Sequence, residues 1–339
     1  MGEDTQLIEK IYPITSYKVR YIPNNANEEL SIDVPNEKNL FFQGHKLKKK
    51  VKEYIKKTTG FEPKKILNPI EEQGHCLLCG DFKTLQKSHV IGKTIFNSLL
   101  KLVPNGHAYK VSQNKIEKSG DNWVMKMLCS NCEKYFNQQF ENYAVDVLRS
   151  KRNEVSVSRS NNVVTFSNID AKKIALYLLS IYWRGALSTH ESYNELKISH
   201  GISNYLKYCF IGKYSLNNDV FKMRISKLFD ASKVLSEDAM KFMILKPFAR
   251  LIDEGLVYCF IYEGYFFQIF INCKNVESVK NLSGLIDVNS SELKIPYLDL
   301  FSIEPVKLFL QNGFRLASQD ETLAEALFIE SSKKEKSYN

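Results

Sequence analysis

Two pairs of cysteines constrain the fold of this chain more than any other feature of its sequence. Cys76 and Cys79 form one Cys-x-x-Cys pair, Cys129 and Cys132 form the second, and 49 residues lie between the pairs. Each pair can curl in a tight turn and supply two thiolates, and two such turns complete the tetrahedron that a structural zinc ion requires. We therefore predict a four-cysteine Zn²⁺ site. The alternative is two chance pairs of buried or redox-active cysteines.

The stretch between and after the pairs shows patterns of secondary structure. Residues 82–90 predict a short strand that ends near His89, and residues 123–128 predict a second strand that leads into Cys129. Residues 92–103 predict a short helix between these strands, and the polar run 112–122 predicts an exposed loop. From residue 131 or 132 onward, apolar residues recur at helical spacing, namely Phe136, Phe140, Tyr143 and Val147.

This order of elements, together with three short motifs, resembles the HNH endonucleases, whose ββα-metal fold is also called the His-Me finger. The motifs are Cys76-x-x-Cys79, Ser88-His89-Val90-Ile91 and Leu128-Cys129-x-x-Cys132-Glu133. The resemblance is to a divergent four-cysteine zinc type and covers about residues 72–150, under a quarter of the chain. It implies a zinc-stabilised finger that cleaves nucleic acid.

The resemblance implies roles for three residues. His89 takes the position of the general base, which removes a proton from the water that attacks the phosphate. Glu133, with Asn137 as helper, would hold the catalytic Mg²⁺ or Mn²⁺, because these hard cations prefer oxygen ligands. Glu141 continues the same helix face one turn later. The zinc would set the geometry and take no part in the chemistry.

Departures from the family pattern leave two functions open. Ser88 stands where an acidic residue or a histidine is common, Glu133 replaces a metal-binding histidine, and Val124 replaces an asparagine, for which Asn122 is a weak substitute. One function is an HNH-like endonuclease that acts most simply on DNA, in a setting of bacterial defence against phage or of mobile elements. The other is an inactive zinc-stabilised adaptor that binds DNA or a partner protein. In the adaptor, His89 is a hydrogen-bonding histidine and the helix carboxylate and amide belong to a solvated face.

Composition and charge limit the compartment and the partners. Seven cysteines in 339 residues are too few for a disulfide scaffold, and their odd number favours a reducing compartment. No apolar run approaches the ~20 residues of a membrane span, so we expect a cytoplasmic protein with no membrane partner. The formal net charge of +9 favours a polyanionic partner such as nucleic acid.

A lysine-rich segment precedes the first cysteine pair. Leu47, Val51, Tyr54 and Ile55 fall at helical spacing and predict an amphipathic helix. Its outer face carries lysines that could contact a phosphate backbone, namely Lys46, Lys48, Lys49, Lys50 and Lys52. A solvated face that only keeps the protein soluble is an equally good interpretation. Residues 61–69 predict a connecting loop after this helix.

These patterns predict an α+β protein with four parts. Residues 1–71 form a basic arm with short strands, residues 72–150 the HNH-like finger, residues 151–330 a separate α+β domain of unknown role, and residues 331–339 a disordered tail. Hydrophobic residues make up 44% of the chain, which is enough for a substantial core.

Four features stand out in the predicted second domain. A capping box at Ser167 and Asp170 predicts a helix that runs to about residue 187. Arg184, near its end, is expected to pair with a core carboxylate, with a ligand contact as the alternative. Glu263-Gly264 predicts a hairpin turn. The seven aromatic residues from 258 to 270 predict a sheet packed on both faces or, alternatively, a pocket that stacks bases.

Overall fold

Helices and strands are both abundant in this protein, and its mixed α/β architecture agrees with the predicted α+β class. The structure, a computed structural model, describes residues 7, 14–24, 26–36, 45–102, 108–111, 114–119, 123–252, 255–272, 279 and 281–318. The tail predicted for residues 331–339 lies outside the described residues. None of the described helices has the length and the apolar run needed to cross a bilayer.

The described strands fall into three sheets. The strands are β1 (Ile14–Pro23), β2 (Leu30–Pro35), β3 (Pro63–His75), β4 (Phe82–His89), β5 (Ala108–Val111), β6 (Ile116–Ser119), β7 (Val124–Cys129), β8 (Ser156–Arg159), β9 (Val163–Ser167), β10 (Phe221–Phe229), β11 (Leu245–Ile252), β12 (Gly255–Tyr262), β13 (Tyr265–Ile271) and β14 (Glu292–Asp299). The helices are α1 (His45–Thr59), α2 (Lys93–Leu102), α3 (Ser130–Phe136), α4 (Asn142–Leu148), α5 (Ala171–Leu187), α6 (His200–Phe210), α7 (Glu237–Lys241) and α8 (Glu304–Ala317). A π-helical turn (Asn137–Glu141) joins α3 to α4, and short 3-10 turns occur at Glu191–Tyr193 and Leu300–Ser302.

The first sheet joins the N-terminal arm to the cysteine-containing segment. Its five strands are antiparallel and run in the order β2-β1-β3-β4-β7. Strand β3 passes from the arm to the turn that begins at Cys76, so the loop predicted for residues 61–69 is wrong over residues 63–69. Proline is rare in central strands, and Pro69 therefore obscured this one. It falls between Leu67 and Glu71, where the register with β1 shifts and the ladder is interrupted.

The second sheet has seven strands in the order β11-β12-β13-β10-β14-β9-β8, antiparallel except for the pair β10–β14. The predicted hairpin is confirmed, and Glu263 and Gly264 both have the positive φ that a two-residue turn of this kind requires. The aromatic residues of β12 and β13 are buried, which confirms the packed-sheet interpretation. They are Tyr258, Phe260, Tyr262, Tyr265, Phe266, Phe267 and Phe270.

The third sheet is a small hairpin inside the long insertion between the cysteine pairs. Strands β5 and β6 are antiparallel, with Val111 opposite Ile116. The exposed loop predicted for residues 112–122 is therefore wrong over residues 116–119. Charged and polar residues dominate β6, so composition did not distinguish this strand from a loop. Asn122 lies outside the described residues.

One buried core extends from the cysteine-containing segment into the second half of the chain. Helix α5 is buried along most of its length and packs through Trp183 against Phe136 of α3, with ring centroids 6.2 Å apart. The predicted helix is confirmed, but its N-cap is Asp170, whose side chain accepts a hydrogen bond from the Lys173 N–H. The capping box predicted at Ser167 and Asp170 is wrong, because Ser167 still belongs to β9. The boundary predicted near residue 150 therefore crosses a continuous core.

Candidate functional site

The four predicted zinc ligands converge at one end of the first sheet. Cys76 follows directly on β3, Cys129 ends β7, and Cys132 lies in the first turn of α3. Their sulfur atoms and that of Cys79 all lie within 4.8 Å of one another, and all four are free thiols. The structure thus brings together all four cysteines that the spacing singled out.

Backbone hydrogen bonds shape the first cysteine pair into a turn. The Gly80 N–H donates to the Cys76 carbonyl at 2.8 Å, and the Cys76 N–H donates to the Asp81 carbonyl at 2.9 Å. Gly80 has a φ of +80°, a left-handed conformation that glycine adopts without a Cβ penalty. The Cys129 N–H lies 3.3 Å from the Sγ of Cys76, so a backbone donor also faces a cysteine sulfur of the cluster.

The positions of the sulfurs fit a tetrahedral zinc ion. Zn–S bonds of ~2.3 Å place the sulfurs of such a site ~3.8 Å apart, and Cys79 Sγ lies 4.0 Å from Cys129 Sγ. Burial, followed by the charge of Cys76, raises the pKa of the Cys132 thiol. Four thiolates at this distance therefore need a bound cation to coexist. The cluster can hold a metal such as zinc.

His89 ends strand β4, beside the strand that leads into the second cysteine pair. Strands β4 and β7 are antiparallel, and His89 faces Val124 across the ladder. The imidazole is half-buried. Burial, followed by the positive charges of Lys93 and Arg184, lowers the pKa of His89. A histidine that is neutral near physiological pH can accept a proton from water.

The helix that follows the second cysteine pair is interrupted by a π-helical turn. In this turn the Asn142 N–H donates to the carbonyl of Asn137, five residues earlier. Residues eight positions apart in a regular α-helix are rotated ~80° from each other. A π-helical turn contains more residues than an α-helical turn, so each residue rotates by a smaller angle. Glu141 is therefore brought back towards the helix face that carries Glu133. Such turns occur frequently at functional sites.

Glu133 and Glu141 are coupled carboxylates of this helix. Glu133 is half-buried, and within the described part of the chain its Oε2 atom is buried without a hydrogen-bond partner. Glu141 is only 6% exposed. Burial raises the pKa of Glu141, the charge of Arg184 opposes this rise, and the charge of Glu133 adds to it. Asn137 is half-buried on the turn between the two.

Arg184 of helix α5 connects this helix to the end of β4. Its guanidinium is 1% exposed and lies 3.9 Å from Glu141 Oε2. It donates to the backbone carbonyl of His89 at 2.6 Å and to the carbonyl of Ser180 at 3.2 Å, and it lies 5.4 Å from the ring centroid of Phe136. The predicted pairing of Arg184 with a core carboxylate is confirmed, and Glu141 is that carboxylate.

The chain just after His89 passes close to the Glu141 carboxylate. A Cβ atom placed on Gly92 would overlap the carboxyl group of Glu141. Glycine is therefore needed here for close approach rather than for an unusual φ. The segment from His89 to Gly92 is fixed on one side by Arg184 and on the other by Glu141.

Among the described contacts, Arg184 joins the backbone of His89 to Glu141, and none joins the imidazole directly to Glu133. Sequence reasoning gave Glu141 no role of its own. The available signal was its position four residues after Asn137, on the helix face predicted to carry Glu133 and Asn137. Its pairing with Arg184, distant in sequence, could not be read from spacing.

Helix α1 confirms the amphipathic pattern predicted for the lysine-rich segment. Val51 and Ile55 are fully buried, while Lys49, Lys50 and Lys52 are exposed. The side chains of Lys46 and Lys48 lie outside the described residues. Contact of these lysines with a phosphate backbone stays a prediction.

Comparison with protein-family models, with curated proteins and with solved structures found no match to this chain. Family membership is therefore not shown, and the resemblance to the HNH endonucleases stays a prediction. The features that can support a function are those of the site itself: the four sulfurs, the end of β4, and the neighbouring charged residues Glu133, Glu141 and Arg184.

Proposed function

We propose that this chain is a metal-dependent, HNH-like endonuclease that hydrolyses phosphodiester bonds of nucleic acid, most simply of DNA. One observation carries the proposal. His89 ends the first strand of an antiparallel pair, and the second strand runs into a helix whose first turn carries Glu133. The four sulfurs lie at the junction of that strand and helix. This strand–strand–helix arrangement supports the ββα-metal interpretation of residues 72–150.

Each residue of the site has a role in this proposal. The neutral His89 imidazole accepts a proton from the attacking water. The partnerless Oε2 of Glu133 and the amide of Asn137 would hold the catalytic Mg²⁺ or Mn²⁺. That ion, when bound, would stabilise charge on the phosphate and the leaving oxygen. The four cysteines would hold a structural zinc.

Arg184 and Glu141 act as positioning residues. Arg184 fixes the backbone carbonyl at His89 and thereby the direction in which the imidazole leaves the strand. Glu141 neutralises Arg184 and restricts the segment up to Gly92. Such support is important because a displacement of about 1 Å in a catalytic group can lower a rate about 100-fold.

Charge supplies the attraction to substrate. The net charge of +9 and the exposed lysines of α1 suit a phosphate backbone, which they would position without reading its sequence. A cytoplasmic role in bacterial defence against phage, which the resemblance implies, belongs to the same proposal.

Cleavage of a supercoiled plasmid tests the proposal. Purified protein is incubated with Mg²⁺ or Mn²⁺ beside the variants His89→Ala and Glu133→Gln, with His200→Ala as the matched control, because His200 is an exposed histidine of α6. Wild type and control should nick the plasmid, and the two site variants should lose this activity. Equal nicking by all four proteins, or none by the wild type with either metal, would contradict the proposal.

A zinc-stabilised adaptor without catalytic activity is the second candidate, and two positions favour it. Ser88 is fully buried, and Val124 lies opposite His89. Neither position offers the metal-binding or amide side chain that the HNH pattern has there. Binding of plasmid or of a partner protein without cleavage under any metal would support the adaptor.

A further inference from the structure

Exposed aromatic rings and one lysine, Lys213, lie together at the C-terminal end of α6. We call this surface the α6 patch and define it as Tyr208, Ile211, Lys213 and Tyr214. Tyr208 is 40% exposed, Ile211 42% and Tyr214 52%. These values contrast with the aromatic residues of β12 and β13, which are buried and cannot meet a ligand.

The end of α6 holds the two tyrosines together. Gly212 has a φ of +74°. The Lys213 N–H donates to the Tyr208 carbonyl at 2.9 Å, and the Gly212 N–H donates to the Cys209 carbonyl at 3.1 Å. This is the Schellman arrangement, in which a left-handed glycine folds the chain back over the last turn of a helix. Tyr214 therefore lies against Tyr208, with ring centroids 5.0 Å apart.

A third tyrosine supports the pair from behind. The Tyr205 hydroxyl donates to the Ser215 carbonyl at 2.9 Å and accepts from the Asn217 N–H at 2.8 Å. Its ring centroid lies 6.2 Å from that of Tyr214, and it stacks on Phe221 on the other side. The rings of the α6 patch are thus ordered before any ligand arrives, which lowers the entropic cost of binding.

The stretch of sequence that carries the α6 patch is basic between its flanking carboxylates Glu195 and Asp219. Residues 196–218 contain three lysines, Lys197, Lys207 and Lys213, and no aspartate or glutamate. The Lys213 ammonium lies 5.8 Å from the ring centroid of Tyr208. Exposed rings with interleaved lysines suit a ligand that is polyanionic and also has flat apolar faces. Unpaired nucleotides have both properties, whereas the bases of a duplex are already stacked.

The α6 patch belongs to the same packed unit as the proposed nuclease site. The Tyr135 hydroxyl of α3 donates to the carbonyl of Phe210, the last residue of α6, at 2.7 Å. The rings of Phe136 and Phe210 also meet, with centroids 5.1 Å apart. A strand bound at the patch would therefore be held in a fixed relation to the helix that carries Glu133.

We propose that the α6 patch is a stacking platform for unpaired nucleotides, so that the preferred substrate is a single-stranded or locally unpaired nucleic acid. The proposal deepens the proposed nuclease function by naming its substrate class. As a binding surface it stands on the patch alone and can be tested without cleavage.

Fluorescence anisotropy tests the platform. Binding is measured with a labelled single-stranded oligonucleotide of mixed sequence and with the duplex of the same sequence. Full-length His89→Ala protein serves as parent so that the probe stays intact. Tyr208→Ala and Tyr214→Ala should each weaken single-strand binding by about five-fold or more. Tyr208→Phe and Tyr214→Phe keep the rings and should bind as the parent does, as should Phe314→Ala, which removes an exposed ring 38% accessible on α8.

Salt dependence gives a second readout. Lys213→Gln should lower the slope of log affinity against log salt for the single strand by about 0.7, the value for one lost phosphate contact. Unchanged single-strand affinity in both alanine variants would overturn the platform. Equal weakening of duplex binding would overturn it too, as would a loss of self-association in sedimentation with no change in oligonucleotide binding, which would identify a second copy of the chain as the occupant.

Cleavage measured separately with native His89 distinguishes the two proposals. If the protein cuts nucleic acid while its tyrosine variants bind single strands normally, the nuclease proposal stands and the platform proposal is contradicted. If the protein needs Tyr208 and Tyr214 for single-strand binding but never cuts, the platform proposal stands and the nuclease proposal is contradicted.

Discussion

Two parts of the segment 72–150, the proposed finger, differ in the chemistry that can hold them together. At one end, four cysteine sulfurs within 4.8 Å of one another can be joined by a metal ion. At the other end, Arg184 from outside the finger binds the carbonyl of His89 and pairs with the buried Glu141. The first end can form from residues of the finger alone, whereas the second end needs helix α5.

This difference suggests a division of labour. Metal–thiolate bonds supply folding free energy directly, because a structural site does not exist before the ion binds. A buried ion pair supplies little net stability, since the desolvation of two charges offsets their attraction. Its value lies in fixing geometry, and it does so at the end of β4 that carries His89. In the proposed site, a metal at the cysteine end would therefore stabilise residues 72–150, and the Arg184 end would position the proposed general base.

Removal of one cysteine ligand should have the largest effect. Cys129→Ser should lose the metal and unfold the finger, because a structural zinc contributes about 10 kcal/mol or more to small zinc domains. Elemental analysis of the wild type should find one zinc per chain. Hydrogen exchange should show that residues 72–150 lose protection in the variant.

Cys209→Ser provides the matched control, because Cys209 is a buried free thiol on α6 outside the cluster. It should keep the zinc. A wild-type protein that purifies folded and metal-free would contradict the role given to the cysteine end.

Breaking the ion pair should have the next largest effect and should leave the zinc in place. Arg184→Met leaves Glu141 buried without its partner and should lower the free energy of unfolding by about 3–5 kcal/mol, as measured by urea denaturation. Adding Glu141→Leu should restore most of that stability, because an apolar pair avoids the unpaired charge. The double variant should still cleave about 100-fold more slowly than the wild type, as the single variant does. Recovery of activity together with stability would reduce Arg184 to a structural residue.

Two glycines, one at each end, offer a matched comparison. Gly80→Ala forces alanine into a left-handed conformation, which costs about 1–2 kcal/mol, and should weaken metal binding in a chelator competition. Gly92→Ala places a methyl group against Glu141 and should cost about 1–3 kcal/mol by overpacking. It should lower cleavage with metal affinity unchanged. If both variants lose metal equally, the two ends are not separable.

The pH dependence should show the smallest effect. Burial, Lys93 and Arg184 lower the pKa of His89, so the neutral, proton-accepting form persists to lower pH. The acidic limb of kcat/KM should therefore have its midpoint below the ordinary histidine value of 6.5. Lys93→Gln removes one positive charge and should move the midpoint upward. A midpoint of the acidic limb above 6.5, or a midpoint that does not move in Lys93→Gln, would count against His89 as the base.

The cysteine end could be predicted from sequence because the Cys-x-x-Cys spacing identifies its ligands. Cys76 and Cys79 are close in the chain, and so are Cys129 and Cys132, so only one long-range contact had to be inferred. The ends of β4 and β7 were predicted to within about one residue, because the apolar positions and the neighbouring cysteine pairs mark where these strands begin and end.

The other end could not be predicted with the same completeness. Arg184 was expected to meet a core carboxylate, but a single charge on a buried helix does not identify its partner. Glu141 is brought inward by a π-helical turn, which has no reliable sequence pattern. The sequence predicts Gly92 only as the first residue of a short helix, and nothing in the pattern indicates that Glu141 lies beside it.

The extended strands show a similar limit. Pro63 and Pro69 indicate a loop over residues 61–69, yet pairing with β1 and β4 imposes strand β3 from Pro63 onward. Helix α6, which carries the α6 patch, was not predicted. Its N-cap Ser199 and the glycine after its end mark it in retrospect, and tertiary contacts with α3 and α5 decide it.

The most direct test of this division of labour is the single-turnover cleavage rate of Arg184→Met. It is measured on plasmid DNA with Mn²⁺, in a sample whose zinc content is known. We predict a protein with one zinc per chain and a cleavage rate lowered about 100-fold. A variant that keeps its zinc and cuts at the wild-type rate would contradict the account, because His89 would then be positioned without Arg184.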